Sequence, residues 1–280
     1  MDNGSGSVVH RRILGRRLKL LREEFGLTLE EAAPKLDWST STLSRIENGQ
    51  QAPNVHGMRS MMDLYQVTGD GWEDLLRMTR EVRRKGWWRA YGLGDDAYVG
   101  FEAEASRVQE FALSFFPGLL QVPEYSRALF TTAVERTPEH LADVMQVRAI
   151  RQRRLTSAEH PLELVTVVDE SVLHRPIGGP AVLREQLAHV VRAAALPSVT
   201  LQVLPTAVGA HAGIASPLAV LSFEHLGEPD IAYVEHTLGS LRVEKESEVR
   251  RARIVIDRLR SAALGPEESL ALVREVAAQL

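Results

Sequence analysis

The stretch "STSTLSRIENG", residues 39–49, decides how the first third of this chain is interpreted. Ser39 is a favourable N-cap, and Gly49 is suited to ending the helix that follows it. Leu43 and Ile46 form a narrow apolar seam, which leaves the rest of the helix for solvent. Two interpretations are open at this point: a solvated helix of an α-helical adaptor, or a helix that lies in a DNA groove.

The preceding residues favour the second interpretation. Thr28 and Glu31 have the spacing of a capping box, which predicts the start of a helix whose inner face carries small residues. A break at residues 37–38 separates that helix from the next, and two helices joined by so short a break are typical of a helix-turn-helix. Further amphipathic helices are predicted on both sides, over residues 14–25, Val55–Tyr65 and Trp72–Arg84. Residues 11–85 are therefore predicted to form an all-α bundle of five helices.

In a helix-turn-helix, the second helix contacts base edges through residues near its N-terminus. Because the apolar seam faces the core, the opposite face of this helix is predicted to read bases with Thr40, Ser41, Ser44 and Arg45. Short hydroxyl side chains allow close approach, and an arginine can bind guanine through two hydrogen bonds. Arg11 and Arg12 belong to a basic cluster in the first helix and are predicted to contact phosphates.

The segment "GLTLEEAAPKLDWSTSTLSRIENGQQAP", residues 26–53, resembles the phage-repressor (Cro/C1, or XRE) family of helix-turn-helix domains. The resemblance covers roughly residues 11–80. It implies base contacts from the four residues named above and phosphate contacts near Thr28, Thr42 and Asn48. It also implies an internal ion pair between Arg22 and Glu47. The family often has a phosphate-binding glutamine where Leu29 stands here, so that backbone contact is in doubt.

Charge is distributed unevenly along the 280 residues. Residues 1–85 carry 14 Lys and Arg against 12 Asp and Glu, whereas the remainder carries 19 against 25. This asymmetry predicts different partners for the two parts. The absence of cysteine excludes disulfides and thiolate metal sites, and together with the lack of a signal peptide or apolar span it favours a cytoplasmic protein, nucleoid-associated when bound to DNA. Residues 1–10 are predicted to be disordered.

Residues 86–98 are interpreted as a junction, in which Trp87 and Trp88 fill a seam between domains or stack on a ligand. Beyond it, β-branched runs alternate with amphipathic helices, which predicts an α+β domain over residues 99–280 with a largely buried sheet. The predicted strands are Val108–Phe115, Leu162–Val168, Val199–Leu204, Leu218–Phe223, Ile231–Val234 and Leu241–Val243. The predicted helices are Pro123–Val134, Pro138–Leu155, Ala181–Ala194, Glu246–Ala263 and Glu267–Gln279.

The C-terminal part lacks the motifs of common catalytic and nucleotide-binding sites. The segment "DESVLH" contains Asp169, Glu170, Ser171 and His174, but residues so close in sequence are better suited to capping a helix at a strand end. His211 and the pair Glu235-His236 lack the repeated spacing of metal ligands. The basic run Arg148–Arg154 has two interpretations, a solvated helix face or an extension of the DNA surface. No catalytic residue, metal or cofactor is predicted.

The segments "FEAEASRVQEFALSFFPGLLQVPEYSRALF", "VVDESVLHRPIGG", "QVLPTAVGAHAG" and "IAYVEHTLGSL" resemble a domain of unknown function in actinomycete regulators of the WhiJ type. The resemblance covers roughly residues 95–275. It implies a repressor of development or secondary metabolism that pairs with a small acidic BldB-like protein, or the antitoxin half of a toxin–antitoxin-like pair.

The sequence therefore predicts a DNA-binding transcriptional regulator that acts as a homodimer and is controlled through its C-terminal domain by a partner protein or a ligand. An antitoxin that sequesters its partner is the alternative, and an enzyme with a DNA-binding front domain is a third. A neighbouring gene for a small partner would favour the antitoxin, and a deep pocket with convergent titratable groups would favour the enzyme.

Overall fold

The computed structural model describes residues 8–83, 86–94, 97–133 and 137–280. The chain divides into two compact units, residues 1–104 and 105–280. The first is helical and the second contains a six-stranded sheet with helices, which confirms the predicted fold class. The predicted junction, residues 86–98, lies inside the first unit.

The first unit contains the five predicted helices in the predicted order. They are α1 (Val8–Glu24), α2 (Leu29–Lys35), α3 (Thr40–Glu47), α4 (Val55–Leu64) and α5 (Asp70–Glu81), followed by a 3-10 helix (Trp87–Tyr91) and α6 (Tyr98–Glu102). The predicted disorder of residues 8–10 is wrong, because Val8 and Val9 are buried in the first turn of α1. Residues 1–7 and the predicted helix end at Arg84 lie outside the described residues.

The core of this bundle is formed by the apolar faces that the sequence pattern predicts, including Leu14, Leu18, Leu43 and Ile46. α1 and α3 approach each other closely at Gly15. A Cβ atom at this position would lie 2.5 Å from the backbone oxygen of Ile46, so only glycine fits without displacing one of the helices. This contact sets the position of α3 relative to the rest of the bundle.

The second unit is built on a mixed sheet in the order β3-β2-β1-β4-β5-β6. Its strands are β1 (Arg107–Ala112), β2 (Glu163–Asp169), β3 (Val199–Leu204), β4 (Leu218–Phe223), β5 (Glu228–His236) and β6 (Gly239–Val243). β1, β2 and β3 pair in parallel, whereas β4, β5 and β6 are antiparallel to their neighbours. All six predicted strands are present. The strand predicted over Val108–Phe115 ends earlier, at Ala112.

Six helices accompany the sheet: α7 (Pro123–Ala133), α8 (Pro138–Gln152), α9 (Ser171–His174), α10 (Pro180–Ala193), α11 (Glu246–Ala262) and α12 (Pro266–Ala278). The predicted helix end at Val134 lies outside the described residues, and α8 ends in a 3-10 turn over Arg153–Thr156. α11 packs on β4 and β5, with Ile256 and Leu259 in a core that also contains Phe111 and Val220. None of the described helices is long and apolar enough to cross a membrane.

An irregular segment, residues 116–122, is held in place by buried polar side chains. Gln186 on α10 accepts a hydrogen bond from the Val122 N–H (2.8 Å) and donates one to the Leu120 carbonyl (2.6 Å). Gln121 donates to the Phe116 carbonyl (2.5 Å) and accepts from Ser126 and Arg148. Because buried backbone groups require partners, these glutamines allow a segment with only one short 3-10 turn, Gly118–Leu120, to lie inside the domain.

The two outer strands of the sheet differ in whether other parts of the chain bond to their outer edges. On β3, the Val203 N–H donates to the Ser269 hydroxyl (2.8 Å), and the Val203 carbonyl accepts from the Leu264 N–H (2.9 Å). The chain therefore closes this edge itself. On the other side, β6 ends the sheet, and within the described part of the chain its strand partner is β5.

Candidate nucleic-acid interface

The turn between α2 and α3 is built from local hydrogen bonds. The Thr28 hydroxyl accepts from the Glu31 N–H (3.2 Å), and the Glu31 carboxylate accepts from the Thr28 N–H (2.9 Å), which completes the predicted capping box. These bonds to Thr28 lower the pKa of Glu31. After α2, Asp37 adopts a left-handed backbone conformation (φ 57°), and Ser39 then caps α3 by accepting from the Thr42 N–H (3.2 Å). The two helices therefore begin at the residues that the sequence indicates.

The predicted base-reading residues share the solvent-facing side of α3. Thr40, Ser41 and Arg45 are exposed and Ser44 is half-buried, whereas Leu43 and Ile46 are buried. The Arg45 side chain folds back along the helix and donates from Nε to the Ser41 carbonyl (3.3 Å). This bond is long and exposed, so it offers little resistance to extension of the arginine toward a base edge.

Arg22 on α1 and Glu47 on α3 form a buried ion pair. Arg22 donates from Nε to Glu47 Oε1 (2.7 Å) and from Nη2 to Glu47 Oε2 (2.8 Å), and its Nη1 donates to the Leu27 carbonyl (2.7 Å). The bond to Glu47 raises the pKa of Arg22. Both side chains are more than nine-tenths buried, so the pair ties α3 to α1 from inside the bundle.

Tyr65 lies close enough to this ion pair to share its electrostatic environment. Burial, and after it the negative charge of Glu47, raises the pKa of Tyr65 to about 12, although Arg22 acts in the opposite direction. Its hydroxyl is buried and has no hydrogen-bond partner among the described residues. Sequence reasoning missed Tyr65, because an apolar residue at the same position would fit the helical pattern equally well.

The predicted phosphate-contacting residues are divided among three helices. Thr28 is exposed at the start of α2, and Thr42 shares a hydrogen bond with the Ser39 hydroxyl (2.8 Å) at the start of α3. Asn48 caps the other end of α3 and donates to the Ser44 hydroxyl (3.2 Å). Arg11 and Arg12 are half-buried on α1.

Arg12 lies next to the C-terminal end of α3. A Cβ atom at Gly49 would be 2.8 Å from the Arg12 Cα, so the backbone of α1 touches the turn that follows α3. Leu29, where the resembled family often has a glutamine, packs partly buried against the core of the bundle. Leu29 therefore packs against the bundle, at the position where the glutamine of the resembled family would contact a phosphate.

Trp38 supports the turn from the side, and the sequence pattern did not identify it. A Cβ atom at Gly57 on α4 would lie 2.5 Å from the Trp38 ring, so the indole occupies the space beside that helix. A tryptophan directly before an N-cap serine is a signal that could have been noticed, since a bulky residue there packs against the bundle.

In the second unit, the candidate catalytic segment has a structural role. Asp169 accepts from the N–H (3.0 Å) and the hydroxyl of Ser171, the first residue of α9. His211 Nε2 lies 3.9 Å from the other oxygen of Asp169, and His174 Nε2 lies 4.0 Å from Glu170. The carboxylate thus stands between serine and histidine, whereas a hydrolytic triad requires the histidine between serine and carboxylate.

The remaining candidates also have structural surroundings. Arg148 lies over the Phe130 ring (4.8 Å), and Arg154 donates to the Ala105 carbonyl (2.7 Å), so part of the basic run is turned toward its own unit. Trp88 is fully buried within the first unit, and Trp87 packs edge-on against it. Among the described residues, no group of three or more His, Asp or Glu is arranged to bind a metal ion.

Two protein families match the chain in succession. A helix-turn-helix domain family matches residues 13–75, and the family described as a domain of unknown function, DUF5753, matches residues 96–275, more than half of the chain. The chain belongs to the DUF5753 family. The two matches confirm the predicted architecture, an XRE-type helix-turn-helix followed by the actinobacterial domain of unknown function. No curated protein and no solved structure matches this DUF5753 protein.

The helix-turn-helix match identifies the first unit as a DNA-binding domain and the protein as a regulator of transcription. The match begins within α1 and ends midway along α5, and it contains every residue of α2, α3 and α4. The DUF5753 match covers all six strands of the sheet.

Proposed function

We propose that this protein is a sequence-specific transcriptional repressor that binds its operator as a dimer and is controlled through its DUF5753 domain. The observation that carries the proposal is the exposed face of α3, where Thr40, Ser41, Ser44 and Arg45 lie together on a helix capped at Ser39. In this arrangement Arg45 reads a guanine and the hydroxyl residues bond neighbouring bases or phosphates. The phosphates on both sides of these bases are held by Thr28, Thr42, Asn48, Arg11 and Arg12.

Arg45→Ala tests base reading in the intact protein. The operator is first obtained by selection from random DNA, and affinity is then measured for it and for every single-base variant. We expect the substitution to cost about 1–3 kcal/mol on the operator and to relax discrimination at one base pair. Arg77→Ala is the matched control, because Arg77 is an exposed arginine of α5, a helix that packs on α1 and α4. Equal affinity of the Arg45 variant and the parent would remove Arg45 from base reading.

Arg12→Ala tests the phosphate role separately. Loss of one phosphate contact weakens specific and random DNA alike and reduces the slope of log affinity against log salt by about 1. A slope that stays unchanged in titrations between low and moderate salt would show that Arg12 serves only the packing of α1.

The DUF5753 domain is proposed to hold the dimer and to receive the signal. A single module of this size contacts few base pairs, so useful specificity requires two half-sites about one helical turn, ~34 Å, apart. The second unit has a large core of its own, and its residues 105–280 carry 18 Lys and Arg against 21 Asp and Glu, a net charge of −3 that disfavours direct contact with DNA. A small BldB-like protein or a ligand that binds one state of this domain more tightly would shift the population of DNA-competent dimers.

Gel-shift titration of the intact protein with and without a small acidic protein encoded next to it tests this control. We expect the partner to change the operator affinity and to leave the identity of the preferred bases unchanged. A partner that binds the protein but leaves the operator affinity unaltered would favour the antitoxin function over the regulatory one. We propose a cytoplasmic location, with nucleoid association through the operator.

A further inference from the structure

The open edge of the sheet carries exposed leucines, which is unusual for an unpaired strand. Leu238 at the tip of the β5–β6 hairpin is 92% exposed and Leu241 on β6 is 55% exposed. Natural proteins normally protect such an edge with charged residues, proline or a covering segment, because its free N–H and C=O groups pair readily with another strand. At the other edge, on β3, the backbone of Val203 is hydrogen-bonded to residues 264 and 269 of the same chain. The two edges of the sheet therefore differ.

Side-chain alternation places Leu241 on the same face of the sheet as α11. Its neighbour two residues on, Val243, is partly buried against the core beneath α11, and alternate residues of a strand share a face. On β5, Val234 lies directly opposite Leu241. α11 packs on β4 and β5, and this leaves Leu241 beyond the helix. Val234 and Leu241 therefore form an apolar margin, which we call the β6 margin.

We infer that the β6 margin pairs with the β6 margin of a second copy of this chain, about a two-fold axis at Leu241. A second copy is the inferred partner because β6 is complementary to itself in an antiparallel pair. With the axis at Leu241, the two leucines face each other and Ser240 faces the second copy's Arg242, so no like charges are opposed. An axis at Arg242 would place two guanidinium groups directly opposite each other; each is bonded to Glu244 of its own chain (2.7 Å), but like charges directly opposite are destabilising.

The length of β6 also favours this register. An axis at Val243 would require residues 245–247 to continue the strand, but α11 begins at Glu246. Pairing about Leu241 uses residues 239–243, which are the residues already in strand conformation. It joins two six-stranded sheets into one continuous sheet and covers both β6 margins.

The inferred interface is small. A stable protein interface typically buries about 800 Å² on each partner, more than a pair of five-residue strands provides. We therefore expect a reversible dimer that operator DNA strengthens, because binding of one half-site raises the effective concentration of the second protomer. The inference rests on the proposed dimeric regulator and names the surface that such a dimer uses.

Single-cysteine variants of the full chain test the inference, since the protein has no cysteine of its own. In the inferred register, the two Cβ atoms at position 241 lie about 4.5–5.5 Å apart. We expect Leu241→Cys to be joined into covalent dimers by a short bis-maleimide. Ile254→Cys is the matched control, because Ile254 is an aliphatic residue of α11 with similar exposure, 46%. Equal cross-linking of the two variants would overturn the inference.

A second pair of variants measures the equilibrium. Leu241→Lys places like charges across the axis and is expected to weaken dimerisation about tenfold or more in sedimentation equilibrium, whereas Ile254→Lys leaves it unchanged. Circular dichroism verifies that both variants are folded. An unchanged dimerisation constant for Leu241→Lys would also overturn the inference.

Selection of operator DNA in parallel separates this inference from the proposed function. If the parent protein selects a specific sequence while Leu241→Cys fails to cross-link preferentially, the interface is wrong and the regulator stands. If the parent selects no sequence while cross-linking at position 241 succeeds, the interface stands and the proposed function fails.

Discussion

Replacing Glu47 with alanine removes one half of an ion pair that lies almost completely inside the first unit. The side chains of Arg22 and Glu47 are only 6% and 3% exposed, so water cannot replace the lost carboxylate. Arg22 keeps its bond to the Leu27 carbonyl and a 3.6 Å contact with the half-exposed Glu23 carboxylate, but it loses both bonds to Glu47. Breaking a buried pair in this way typically costs about 3–5 kcal/mol, a large share of the 5–15 kcal/mol that stabilises a typical domain.

Tryptophan fluorescence allows this loss to be measured in the intact chain. All four tryptophans, at positions 38, 72, 87 and 88, lie in the first unit, so their emission reports the unfolding of that unit alone. With an m-value of about 1.5 kcal/mol/M, the urea midpoint is expected to fall by roughly 2–3 M. A shift of less than ~0.5 M would refute the reasoning, because it would mean that the remaining arginine is solvated at little cost.

A double substitution separates the cost of an arginine that has lost its buried partner from the value of the pair. Arg22→Met combined with Glu47→Leu replaces both charges by apolar groups of similar size, and such replacements are often neutral. We expect the double variant to be more stable than Glu47→Ala alone. If the double variant were the less stable of the two, the pair itself, and not the desolvated arginine, would account for the effect.

Three further predictions concern packing, buried hydrogen bonds and pH. Gly15→Ala is expected to cost about 1–3 kcal/mol by the same fluorescence assay, because the new methyl group would meet the Ile46 carbonyl, whereas Gly71→Ala in α5 has room and serves as the control. Gln186→Leu leaves two backbone groups of residues 120–122 unpaired, so calorimetry should show the second unit destabilised by about 1–3 kcal/mol for each; an unchanged transition would contradict the role of the glutamine. Burial, and then repulsion by a neighbouring arginine, lowers the pKa of His189, so the folded state binds fewer protons than the unfolded state and stability is lost as pH falls below about 6.5. Hydrogen-exchange protection factors of the second unit, corrected for the slower intrinsic exchange at lower pH, should therefore fall on acidification, and less so in His189→Gln; an equal fall in both would exclude this histidine as the cause.

Local patterns in the sequence determined most of the elements and the exposed face of the candidate site. The capping box at Thr28 and the N-cap at Ser39 depend on atoms only a few residues apart, and their hydrogen bonds form where the residue types indicate. Strands β3 and β4 begin and end at the predicted residues, because continuous apolar runs bounded by proline and loop residues have few other conformations in a buried sheet. The side of α3 that carries Arg45 follows from the helical period and the position of its apolar seam.

Only the tertiary structure decided which distant surfaces meet. The pairing of Arg22 with Glu47, 25 residues apart, was implied by resemblance and not by any local pattern. The position of β1 between β2 and β4, and the bond from Val122 to Gln186, join segments whose own patterns are satisfied by many arrangements. The burial of Val8 also follows from packing, since two valines after a polar segment have no periodicity of their own. Local structure depends on hydrogen bonds between residues that are neighbours in sequence. Strand order and helix contacts depend on which combination of apolar faces buries the most surface, and this is a property of the whole chain.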